Sequence, residues 1–176
     1  MKIINLFILT VFCFDGFSQD STVYDFRADS IANSRTINFS HFQDKKILIV
    51  NTATLDINSS QLIELNRLQN SHANNLVVVI FPSNDFNSEP GNNMSISNFL
   101  SGLNLSLTVG GKITVQGNGI HPLYYWLTHQ SLSGVSDLKV KAPFQKYLID
   151  ESGRLVKMFN AQTKPMSQAI INAITE

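Results

Sequence analysis

Two uninterrupted apolar runs, Ile47-Leu48-Ile49-Val50 and Leu76-Val77-Val78-Val79-Ile80-Phe81, constrain this fold more than any other feature of the chain. A strand with one wet face alternates polar and apolar residues. A strand covered on both faces does not, so runs of this length read as buried strands of a parallel sheet. Between them Leu62, Leu65 and Leu68 recur at helical spacing, with Ile63 beside them. Asn58 is expected to N-cap this helix, with Gln61 three residues on reaching back as in a capping box. The asparagine-rich stretch 70–75 suits its C-terminus, since Asn tolerates the left-handed cap. Strand, helix, strand makes a right-handed βαβ unit. Its first loop, Asn51 to Ser60, runs into a helix N-terminus, where free N–H groups and the helix dipole converge.

The flanking segments complete an α/β domain. Ser21 to Phe26 and Arg35 to Phe39 read as two short strands joined by a polar turn at Asp29 to Ser34. Pro82 to Asn93 is a long turn-rich loop leaving the second buried strand, and Met94 to Leu100 a short helix. A weak strand is expected at Lys112 to Val115, between the glycines at 110 and 111 and those at 117 and 119. Those glycines are turn formers, since no strand-GxGxxG-helix arrangement surrounds them. Pro122 opens a helix over Leu123 to His129. Phe144 to Asp150 and Arg154 to Phe159 form a hairpin about Glu151-Ser152-Gly153, and Met166 to Ile174 a closing amphipathic helix.

Residues 1–18 read as a signal peptide. Lys2 supplies the positive start, Ile3 to Phe14 the apolar core, and Gly16 and Ser18 the small residues of a cleavage site. The run is too short to span a bilayer. A single mature domain, 19–176, is therefore expected to be exported to the periplasm or the extracellular space, with no transmembrane segment after processing. Cys13, the sole cysteine, falls within the apolar run, and bulky Phe12 argues against a lipoprotein signal. The mature domain thus has no thiol for catalysis, disulfides or metal ligation. Lys plus Arg equals Asp plus Glu at 13 each, which gives no electrostatic case for nucleic acid. A monomer without cofactor is expected.

Five motifs in order carry a family resemblance across Val23 to Ile174. They are Tyr24-Asp25-Phe26; Asn51-Thr52-Ala53-Thr54-Leu55-Asp56 continuing to Gln61; Phe81-Pro82-Ser83-Asn84-Asp85-Phe86 followed by Glu89-Pro90-Gly91; Pro122-Leu123-Tyr124; and Ala142-Pro143-Phe144 continuing to Asp150 and Gly153. Together they resemble the glutathione peroxidases. The resemblance implies a thioredoxin-like fold, a central mixed sheet flanked by helices with an N-terminal β-hairpin. It also implies peroxidase activity in the response to oxidative stress.

The family's reacting residues do not carry over. The peroxidatic cysteine position is Asp56, the Gln is Asp85, the Trp is Ala142 and the Asn is Pro143, while Ser83 stands where a second cysteine is sometimes found. Peroxide reduction needs a soft nucleophile that becomes a sulfenic acid and is reduced back, and a carboxylate has no such oxidation ladder. The chain is therefore expected to be inactive as a thiol peroxidase. Two readings of the altered site stay open. In one, Asp56 and Asp85 are solvated residues of a decayed pocket in a non-catalytic binding or interaction module. In the other, the two carboxylates meet in a cleft and hold a metal or a cationic group, or serve a changed chemistry. His41, His72, His121 and His129 show no metal-ligand spacing, and Tyr124-Tyr125-Trp126 reads as core and rim.

Overall fold

The two apolar runs pair in parallel, as β3 (Lys46–Thr52) and β4 (Leu76–Pro82), in register from Lys46 opposite Leu76 to Thr52 opposite Pro82. Helix α1 (Gln61–Ser71) connects them. The structure is a computed structural model and describes residues 21–32, 35–135 and 137–176. The expected signal segment and Cys13 lie outside the described residues.

Short β5 (Thr108–Val109) extends the sheet in parallel beyond β4. On the other side β6 (Lys146–Ile149) pairs antiparallel with β3, and β7 (Leu155–Phe159) antiparallel with β6. The order β5-β4-β3-β6-β7 is a mixed five-stranded sheet. Side chains alternate across each strand, so the continuous runs serve two cores at once. Leu48, Val50, Val78 and Ile80 pack on one face with α1, with Ile96 and Leu100 of α2 (Asn93–Gly102), and with Ile170 and Ile174 of α5 (Gln168–Thr175). Ile47, Ile49, Val79 and Phe81 pack on the other with Leu123, Tyr124 and Trp126 of α3 (Pro122–Thr128) and with the N-terminal hairpin. Each fully buried Leu or Ile contributes about 1.5–3 kcal/mol. No helix among the described residues is long and apolar enough to cross a membrane.

Two expected strands are displaced. The hairpin is β1 (Arg27–Asp29) with β2 (Thr36–Asn38), and Val23–Asp25 ahead of it is a 3-10 turn. Thr22 N–H donates to the Asp25 carboxylate at 2.9 Å, and this local bond winds the segment. The fifth strand lies at Thr108–Val109, not at Lys112 to Val115. Gly110 still donates its N–H to Ile80 O at 2.8 Å, and it is a glycine because a Cβ there would stand 2.1 Å from Cε1 of the Phe81 ring. Gly111 then gives its N–H to Asp29 O instead of the sheet. A further short helix, α4 (Gln130–Ser133), follows α3 and has no counterpart in the sequence reading.

Candidate functional site

The loop between β3 and α1 is held by a buried acid. Glu89, 1% exposed, accepts from Thr54 N–H at 2.6 Å and from the Thr54 hydroxyl at 2.8 Å. Leu55 N–H donates to Ser88 O alongside. Two residues on, Asp56 Oδ1 accepts from the backbone N–H of Asn58 at 2.8 Å and from its side-chain amide at 2.9 Å. This is a local Asx turn, the arrangement Asp adopts readily in loops. Bonds from Ser59 N to Asp56 O and from Gln61 N to Asn58 O carry the turn into α1. Asn58 does not cap α1 with its side chain. Its Oδ1 accepts instead from Gln61 Nε2 at 3.3 Å, and that same buried amide donates to Ala161 O at 2.8 Å.

Asp85 is positioned by the loop that leaves β4. Its Oδ2 accepts from Val115 N–H at 2.5 Å and Gln116 N–H at 3.1 Å, and Gln116 Nε2 returns a bond to Asp85 O at 3.4 Å. A carboxylate accepting two backbone N–H groups is a strong, charge-assisted tie. It fastens the 115–119 turn to the loop that carries Asp85. Gly117 and Gly119 hold φ of 72° and 80°, which a side chain rarely tolerates. Ser83 is buried, and its hydroxyl accepts from Asp85 N–H at 3.4 Å.

A cavity of about 800 Å3 opens beside Asp85. Its walls are Val115, Gln116 and Ile120 from the turn, Tyr125, Thr128 and His129 from the end of α3, and the 137–140 segment. Tyr125 and His129 stack with ring centroids 3.9 Å apart. His129 Nδ1 lies 2.6 Å from Tyr125 O. A carbonyl can only accept, so Nδ1 carries the hydrogen, which leaves Nε2 as the acceptor of the neutral ring. Asp137 Oδ1 accepts from Gln130 N–H at 2.8 Å. Asp56 is not among the lining residues. The two candidate carboxylates therefore have separate partners, and only Asp85 faces this space.

The other two positions that the resemblance singles out, Ala142 and Pro143, supply no polar side chain. Ala142 packs against the α1 side of the core, and its carbonyl accepts from Asn51 Nδ2 at 2.9 Å. Pro143 is buried. Phe144 then takes a φ of 68°, an outlier for an aromatic residue, and gives its N–H to Asn51 O. Among the described residues no group of three or more His, Cys, Asp or Glu is placed to hold a metal ion. His72 closes α1 with Nδ1 near Leu68 O, and His121 N-caps α3 by accepting from Leu123 N–H. Burial lowers the His121 pKa, opposed by Asp29.

Two functional-looking charges escaped the sequence reading. Glu89 was visible only as part of a motif. Lys146 could have been noticed as a lone cation inside an apolar strand. It is 0% exposed, and Nζ donates to Phe144 O at 2.7 Å and more weakly to Ala161 O at 3.4 Å. Burial, reinforced by Lys164 and opposed by Glu64, brings its pKa down to about 8. With Gln61 on the same Ala161 carbonyl, it joins β6 to the segment after β7 beneath the α1 N-terminus.

The sequence pattern of the family described as glutathione peroxidase matches residues 23–128. The glutathione peroxidase homolog BsaA of Halalkalibacterium halodurans is 35% identical over 148 residues, covering 82% of this chain and 93% of that protein. A phospholipid hydroperoxide glutathione peroxidase of Bos taurus is 30% identical over 155 residues, covering 82% of this chain and 75% of its own. Among solved structures, that of Trgpx in apo form superposes with a TM-score of 0.67 at 27% identity, covering 89% of this chain and 97% of its own. The chain belongs to the glutathione peroxidase family.

Proposed function

We propose that this chain is an exported, non-catalytic member of the family that works as a binding module. One observation supports the reading above others: the residue in the place of the peroxidatic cysteine is Asp56, with its carboxylate turned onto Asn58. That oxygen cannot be oxidised and reduced in a cycle as a thiolate can. Ala142 and Pro143 leave no side-chain donor where the family places Trp and Asn, so a peroxide would meet neither a nucleophile nor the hydrogen bonds that polarise it. Export rests on the pattern of residues 1–18.

The test is peroxide consumption by purified protein, with hydrogen peroxide and an organic hydroperoxide as substrates and glutathione or thioredoxin as donor. Neither should be reduced above a protein-free control. Asp56→Cys should yield a thiol that reacts with an alkylating reagent yet turns over poorly, because Asp85, Ala142 and Pro143 still lack the family's donors. Turnover by the wild type that Asp56→Ala abolishes would defeat the proposal.

A further inference from the structure

We infer that the cavity beside Asp85 is a binding site for a small organic monocation, an ammonium group carried on a short apolar or aromatic body. The inference rests on the binding-module reading and names what the module takes.

The volume suits a ligand of this kind, since small-molecule sites commonly enclose some 300–1,000 Å3 on mostly apolar walls with few polar groups. Val115, Val140 and Thr128 are buried and form the inner wall, whereas Asp137, Lys139 and Tyr125 are exposed and form the rim. At the rim the charges of Asp137 and Lys139 offset each other. His129 directs Nδ1 onto Tyr125 O. Among the carboxylates and lysine that line the cavity, half-buried Asp85 is then the one uncompensated negative charge. Among the described residues only Oδ2 of that carboxylate accepts hydrogen bonds, from Val115 and Gln116, which leaves Oδ1 to accept from an ammonium. The apolar body has Val115, Ile120 and Val140 to lie against. Tyr125, 47% exposed, offers a ring at the mouth for an aromatic group or for the cation itself. An anion would meet Asp85 with one exposed lysine as compensation, which is the weaker arrangement.

The bonds that define the site also report on it. Phenethylammonium chloride is titrated into 15N-labelled protein and the Val115 and Gln116 amide signals are followed, with phenylacetate as the isosteric anion. The ammonium should move both signals saturably, and phenylacetate at equal concentration should not. Asp85→Asn keeps an oxygen to accept from the two amides but removes the charge. It should weaken binding about tenfold or more, the equivalent of one charge-assisted hydrogen bond. Asp56→Asn should leave the affinity unchanged, because Asp56 does not line the cavity. Ile120→Trp, at a half-buried lining position, should block binding by filling the space, and keeps the test decisive should Asp85→Asn unfold. A blocked lysine, Nα-acetyl-lysine methylamide, distinguishes a basic peptide side chain from a free amine as the source of the cation, and binding of either upholds the site. Equal shifts with phenylacetate, an Asp85→Asn affinity equal to wild type, or no saturable shift with any cation would overturn the inference. Failure here without peroxide turnover leaves the non-catalytic reading standing. Peroxide turnover with cation binding intact would sink that reading alone.

Discussion

Replacing Lys146 by Met should abolish a rise of stability with pH that this lysine should give the wild type in mildly alkaline solution. The lysine is buried, and desolvation holds its folded pKa at about 8 against 10.5 ordinarily. Below pH 8 it is protonated in both states, and the folded state bears the full cost of an ammonium taken out of water. Between pH 8 and 10.5 the unfolded chain binds more protons than the folded one, so unfolding free energy rises with pH across that window and levels off above it. At about 1.4 kcal/mol per pH unit, the gap corresponds to about 3 kcal/mol. At pH 7 the Met variant escapes that cost but leaves Phe144 O without its donor, a loss of about 1–3 kcal/mol. Ala161 O keeps Gln61 Nε2. The two effects nearly cancel at neutral pH, so the stability difference there is uninformative and its pH slope is the observable. Urea unfolding of both proteins at pH 7, 8.5, 9.5 and 10.5 measures it. Wild type should gain on the variant by about 3 kcal/mol over the series. A difference that is flat with pH, or that shrinks, would refute the assignment of a buried, depressed lysine.

Other expectations follow from single contacts. Glu89→Ala strips Thr54 of both bonds to a buried carboxylate and should cost about 2–4 kcal/mol in urea unfolding, with faster hydrogen exchange at Thr54 and Leu55. A cost below the error of the measurement would show that the loop is held elsewhere. Gly110→Ala drives a methyl group into the Phe81 ring and should destabilise by about 1–3 kcal/mol or more, seen as a lower melting midpoint. An unchanged midpoint would mean that the sheet edge shifts freely. Intact mass of the protein recovered from an exporting host should correspond to a chain starting near Gln19, and retention of Met1 to Ser18 would exclude the proposed cleavage.

The sequence by itself determined the βαβ centre, because Ile47 to Val50 and Leu76 to Phe81 are apolar on every residue and only a strand covered on both faces accommodates that. It determined the order of the flanking elements apart from the 3-10 turn at Val23–Asp25 and helix α4 and, through five motifs, the family. It also determined that no cysteine stands at position 56. These features are local or compositional, so they survive without knowledge of who neighbours whom. What the tertiary structure alone decided are matters of long-range pairing. The edge strand lies at Thr108–Val109 and leaves the sheet after Gly110, where Gly111 N–H turns to Asp29 O, a residue far away in sequence. Asp56 and Asp85 resembled a pair on paper, yet one closes a turn on Asn58 and the other ties down Val115 and Gln116, some thirty residues away. Glu89 and Lys146 show why such roles are illegible in one dimension. A charge is buried only where its partners, here Thr54 for the acid and the Phe144 and Ala161 carbonyls for the lysine, are brought round by the whole fold to receive it.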